Sequence, residues 1–135
     1  MTSQIIYKGD LRCMATHLQS GTIIETDAPT DNQGKGERFS PTDLVVVALA
    51  TCMVTTMGIK AQGLGIKLDD TGIEVTKIMV SDPRRIGKIL VHLFFPATLQ
   101  LDEKQRDLME RTARTCPVAR SLHPEVELDM QFNWQ

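Results

Sequence analysis

The sequence predicts an α+β fold, antiparallel sheet wrapped around two main helices, in one domain over residues 1–135. Three observations carry that expectation. A long apolar stretch begins at a helix cap in Ser40-Pro41-Thr42-Asp43, a two-residue alternation fills the C-terminal end, and short β-compatible segments divided by turn residues stand before and between the helices. The order is strands, long helix, strands, helix, strand, which differs from the repeated winding of a parallel α/β sheet.

Residues 4–8, 12–18 and 22–27 read as strands separated by Gly9-Asp10 and Ser20-Gly21, the spacing of a hairpin meander. Residues 28–37 are a polar loop. Ser40 then caps the long helix, Pro41 suits its first position, and Asp43 at the third can close a capping-box-like arrangement. Leu44-Val45-Val46-Val47 has strand propensity, but the apolar stretch exceeds the roughly 4–8 residues of a buried strand. The cap therefore decides for a buried helix over residues 41–59 or a little beyond. A helix apolar nearly all round must be enclosed on most sides, which in a chain of 135 residues predicts dimerisation.

Residues 74–80 and 88–95 read as two further strands, and 102–114 as an amphipathic helix capped by Asp102. Cys116-Pro117 breaks or restarts that helix. Val126, Leu128, Met130, Phe132 and Trp134 alternate with Glu127, Asp129, Gln131 and Asn133, so the last strand is half-buried. His92 falls on a strand and His123, before Pro124, in a turn; the seven methionines are core filler, some of them able to line an apolar pocket.

Composition removes several functions. Fifteen Lys and Arg against seventeen Asp and Glu leave a net charge of −2, with no basic patch for nucleic acid or anionic lipid. The most apolar segment, 44–59, falls short of the roughly 20 residues of a membrane span. The start of the chain lacks a basic, then apolar, secretory pattern, which predicts a cytoplasmic protein. Gly63-Leu64-Gly65 is not followed by Gly-Lys-Ser/Thr and makes no phosphate loop. Cys13, Cys52 and Cys116 are too dispersed for a disulfide framework or zinc pattern, as are His17, His92 and His123 for a metal site.

Two cysteines have informative surroundings. Cys52, in Ala50-Thr51-Cys52-Met53, lies mid-helix, where a cysteine can simply fill the core. Cys116 sits where a helix restarts, so backbone N–H groups can stabilise a thiolate there; a buried residue at a kink fits equally. The wider pattern comprises Phe39-Ser40-Pro41-Thr42-Asp43-Leu44, Cys52 nine positions after Asp43, and Thr115-Cys116-Pro117-Val118-Ala119 sixty-four positions after Cys52. It resembles the OsmC/Ohr family over most of the chain, the element order included.

That resemblance implies an intertwined homodimer with two active sites near the subunit interface, acting as a thiol-dependent peroxidase on organic hydroperoxides. Cys52 would then be the nucleophile and Cys116 would resolve its sulfenic acid as an intramolecular disulfide. The resemblance also implies recycling by a dithiol reductant, with lipoylated proteins as donors, and no metal, haem or flavin. A thiolate in an apolar helix needs a nearby cation. Arg38, in the loop before the helix, is the first candidate by likeness to the OsmC branch, and Arg12, on an early hairpin as in the Ohr branch, the second. The best-known members carry a Glu ten residues before the cysteine, where this chain has Thr42; the acid here is Asp43. On one straight helix Asp43 would stand about half a turn from the Cys52 face and roughly 13 Å along the axis. It could then serve only through an arginine or across a dimer interface, or else remain the helix cap. The alternatives are a non-catalytic small-molecule-binding or interaction domain of the same fold, and a structural dimer with inert thiols.

Overall fold

Hairpin turns organise the N-terminal third, and Gly9, at φ 86, opens the first of them. Strands β1 (Ser3–Gly9), β2 (Arg12–His17) and β3 (Ile23–Asp27) form an antiparallel sheet in that order. Its register places Arg12 directly opposite Asp27. The loop that follows holds a 3-10 turn at Thr30–Asn32 and folds back on the end of β3. Gly34 makes the approach possible: a Cβ there would run into the Ala28 carbonyl, so any side chain would displace the loop. Ile5, Ile6, Tyr7, Ile23 and Ile24 of this sheet are all exposed.

The computed structural model describes every residue from Met1 to Gln135 and divides into two compact units, Met1–Val45 and Val46–Gln135. Helix α1 (Pro41–Gln62) starts in the first and continues through the second. Its start is built as the sequence predicts: the Ser40 hydroxyl accepts from the Asp43 N–H at 3.1 Å, and the Asp43 carboxylate accepts from the Ser40 N–H at 2.9 Å. The three valines after the cap each cost up to roughly 0.7 kcal/mol relative to alanine in a helix. A good cap returns about 1 kcal/mol. The larger stabilisation is core burial, since Leu49, Met53 and Met57 are wholly enclosed and truncating such a residue costs about 2–5 kcal/mol.

The second unit adds β4 (Gly72–Val80), β5 (Arg85–Phe94), α2 (Glu103–Arg114), the one-turn α3 (Pro117–Ser121) and β6 (Glu127–Asn133). Ile89, Val91 and Leu93 alternate inward along β5 and pack with Met53, Met57, Met109 and Met130 in one core. Asp102 caps α2 in a full capping box with Gln105. Phe95 stacks on Trp134 at 3.7 Å between ring centroids, and the Trp134 indole N–H donates to Glu110 at 2.8 Å.

Two details differ from the sequence expectation. Strand β6 pairs with β5 in parallel, from Lys88 opposite Glu127 to Phe94 opposite Asn133, whereas β4 and β5 are antiparallel. The helices between β5 and β6 form a crossover long enough to return the chain to the same end of the sheet, which a short turn cannot do. Lys88 bridges Glu127 at 3.3 Å and Asp129 at 3.4 Å, a solvent-screened pairing that favours this register. The apolar length of α1 is the second. Val46, Leu49, Ala50, Met53, Met57 and Ala61 are buried, but Ile59 is 74% exposed, so the chain by itself covers one face of its most apolar helix. At 22 residues and mean hydropathy 1.9 over its most apolar stretch, α1 also meets the length and composition of a membrane span, correcting the shorter segment read from sequence. Its observed use is as the core helix against β5.

Candidate active site

The second unit brings Cys52 and Cys116 together. Cys52 lies midway along α1, half-buried, and Cys116 is fully enclosed in the core beside the start of α3. The Cys-Pro step produces that placement. Cys116 is extended at φ −63 and ψ 154 as the cap of α3, and Pro117 fills the first helical position without needing an N–H partner. The Cys116 sulfur accepts from the Ala119 N–H at 3.5 Å. The Thr56 hydroxyl stands 3.9 Å from the Cys52 sulfur, one helical turn along α1, and the Val118 N–H and the Cys116 thiol lie close enough to that sulfur to favour its anion.

These contacts push the two thiols in opposite directions. Burial works against a Cys52 thiolate, but the Val118 N–H, the Cys116 thiol and the Thr56 hydroxyl together hold its pKa below the ordinary thiol value. For Cys116, burial dominates and the Cys52 sulfur beside it adds to the upward push, against the opposing Ala119 N–H. Proton sharing within the pair therefore favours thiolate on Cys52 and thiol on Cys116.

The first unit holds the other candidate residues. Arg12 clamps Asp27 with Nε at 2.7 Å from Oδ1 and Nη2 at 2.8 Å from Oδ2, and the same Nη2 reaches Glu37 at 3.1 Å. Asp27 is 1% exposed, and the Glu37 N–H donates to it at 3.1 Å. Arg38 is more loosely held: its Nε lies 3.9 Å from Glu25 and its Nη1 donates to the Glu37 carbonyl. A shallow hollow runs along Glu25, Gly36, Glu37, Arg38, Phe39 and Asp43. Asp43 takes the capping geometry described above, and the Thr42 hydroxyl lies 3.2 Å from that of Ser40. Cys13, on β2 between Tyr7 and Thr26, is a half-buried strand residue.

Asp27 escaped the sequence reading, although the hairpin register between β2 and β3 points to it once the Ser20-Gly21 turn is fixed. Its pKa is depressed, first by the Arg12 hydrogen bonds and against a burial penalty, so the folded state favours its charged form. The stability this contributes is fully present above the ordinary carboxylate range near pH 4 and is lost as pH falls through the lowered folded-state value. Asp27→Asn is expected to lower the urea midpoint at pH 7, with the gap to the wild type closing in acid. A gap that stays unchanged however far the pH is lowered would remove the charge from the explanation.

Thr56, Val118 and Ala119 were also not singled out from sequence as donors. Thr56 is legible in retrospect as the residue one turn beyond Cys52, whereas the backbone donors follow only once the Cys-Pro step is known to restart a helix. Beyond Thr56 an open groove of about 390 Å³ continues past Ile59, Lys60, Gly63, Leu64 and, from α2, Thr112.

A paired-thiol centre on an α+β scaffold is the class of protein these features define. The chain belongs to the OsmC-like protein family, whose family model matches residues 34–131. A crystal structure from Psychrobacter arcticus 273-4, assigned to an osmotic stress induced and detoxification response, is 48% identical and superposes at TM-score 0.93, covering 98% of this chain and 95% of that one. An organic hydroperoxide resistance protein OsmC from Legionella pneumophila shares the fold at TM-score 0.75 and 14% identity, over 98% of this chain and 97% of its own. The uncharacterised protein YmaD of Bacillus subtilis is 24% identical over 121 residues, 84% of this chain and 81% of its own length.

Proposed function

We propose that this chain is a thiol-dependent peroxidase that reduces organic hydroperoxides, with Cys52 as nucleophile and Cys116 as resolving thiol. The observation that carries the reading is the contact between a thiol biased toward thiolate and a second thiol biased toward the protonated form. The Cys52 thiolate attacks the terminal peroxide oxygen, the O–O bond breaks, and the departing alkoxide takes up a proton to leave as alcohol. Cys52 is then a sulfenic acid. The Cys116 sulfur attacks it, the S–S bond forms, and water leaves with the sulfenic oxygen. A dithiol reductant, such as the dihydrolipoyl group of a lipoylated protein, restores both thiols and becomes a cyclic disulfide. The cycle calls on no metal, haem or flavin.

Arg38, with Arg12 as the second candidate, would supply the guanidinium that polarises the peroxide, and Asp43 would act only through it. The looser ties of Arg38, to Glu25 and a carbonyl, leave it freer for that work than Arg12 in its carboxylate clamp. The apolar side chains along the groove beyond Thr56 would favour hydrophobic peroxides over hydrogen peroxide. The working form in this reading is a cytoplasmic homodimer, in which a second copy covers the exposed apolar side chains of β1 to β3 and the bare face of α1.

The test is consumption of cumene hydroperoxide by the species sedimenting at twice 15.1 kDa, with dihydrolipoamide as reductant. Rapid turnover is expected, slowed by about 100-fold or more in Arg38→Ala, the scale of losing one preorganised donor. A second reading, a non-catalytic binding domain of the same family, draws on Asp43 being committed to the helix cap. It predicts a stable dimer that leaves the hydroperoxide unconsumed.

A further inference from the structure

Beyond the first helical turn, hydroxyl side chains in the helices of this protein follow a common habit, and Thr56 departs from it. Thr51 donates back to the Val47 carbonyl at 2.8 Å, Thr55 to Thr51 at 2.9 Å, Thr112 to Leu108 at 2.7 Å and Ser121 to Pro117 at 2.8 Å. Each thereby satisfies its hydroxyl on its own helix, one turn back. The Thr56 hydroxyl meets the Cys52 sulfur at 3.9 Å instead. Residues four apart share a helix face, so this contact needs no long-range packing to form. Thr56 also lines the groove with Ile59, Lys60, Gly63, Leu64 and Thr112, so one residue both touches the sulfur and borders that groove.

We propose that Thr56 is a positioning residue for the reactive sulfur: its hydroxyl donates to the Cys52 thiolate and keeps it aimed toward the groove that receives the organic part of the peroxide. The inference rests on the peroxidase reading for its purpose, but its geometry does not. A thiolate has no proton, so the hydroxyl can act only as donor to it, and the nearby Val118 N–H favours the same anion. The titratable neighbour is Cys116, which contributes its thiol proton; the charged group nearest along the groove lining is Lys60. When the sulfur has become a sulfenic acid and then a disulfide, its negative charge is gone and so is the strength of the contact. Thr56 thus supports the reduced, attacking form selectively.

The test compares Thr56→Val, which keeps the shape and removes the donor, with Thr56→Ser, which keeps the donor and removes the methyl. The readout is the pH dependence of Cys52 alkylation by iodoacetamide, followed by peptide mass and independent of any peroxide assay. Thr56→Val is expected to move the Cys52 midpoint upward by about one pH unit, a tenfold loss of thiolate at fixed pH below it. Thr56→Ser should titrate as the wild type does. Coincident profiles for Thr56→Val and the wild type would overturn the assignment, as would an equal shift in Thr56→Ser, which would place the effect in packing. If the wild type ignores hydroperoxide while Thr56→Val still shifts the Cys52 midpoint, the peroxidase reading falls and the positioning contact stands.

Discussion

Replacing Cys52 by serine is expected to abolish hydroperoxide reduction, by at least about 10³-fold, the scale seen when a covalent nucleophile is removed. The substitution changes one atom on a half-buried helix position, and a serine hydroxyl can turn back to the carbonyl one turn earlier as Thr51 and Thr55 do. The fold should therefore survive, with a thermal midpoint close to that of the wild type, while a hydroxyl near pH 7 supplies almost no anion for attack. The check is peroxide consumption beside far-ultraviolet circular dichroism of the same sample. Residual activity within tenfold of the wild type, in a folded protein, would move the chemistry to another sulfur.

Cys116→Ser has the second largest expected effect, and a different one. Cys116 caps α3 and accepts from the Ala119 N–H, a position that serine fills as one of the preferred caps. Its hydroxyl can also donate to the Cys52 sulfur as the thiol does, so the thiolate bias should persist. The first reaction with peroxide is then expected at near the wild-type rate, while steady-state turnover with a dithiol falls by about an order of magnitude or more because no internal disulfide forms. Trapping with dimedone should capture a stable Cys52 sulfenic acid. Equal turnover in the variant and the wild type would show that the reductant attacks the sulfenic acid directly, making Cys116 a core residue and nothing more.

Much of the scaffold is legible locally. Ser40-Pro41-Thr42-Asp43 overrides the strand propensity of three valines because the cap and the buried methionines act on the same segment. The alternation from Val126 to Trp134 shows which residues of the last strand face inward, but not which neighbour it joins or in which direction. The parallel pairing with β5 depends on the crossover made by α2 and α3, a global property no short window contains. At the site, the two cysteines are marked by their surroundings, and the Cys-Pro step marks the helix restart. The donors around them are harder to read because two are backbone N–H groups, which carry no residue identity. Asp27 was missed for a related reason: an acid at the end of an ordinary strand is unremarkable until the hairpin register sets it against Arg12.

The exposed face of α1 carries a further lesson. An apolar helix demands cover, and the sequence alone predicts that demand, but the chain supplies cover on one side only.

The central claim is that Cys52 and Cys116 act as one redox unit. Its most direct measurement treats fully reduced protein with a single equivalent of cumene hydroperoxide, then determines intact mass and maps the cysteine peptides without reduction. The account predicts that each chain loses two hydrogens, with the Cys52 and Cys116 peptides joined and Cys13 free. Oxygen retained on Cys52 with no joined peptides, or a bond that includes Cys13, would contradict it.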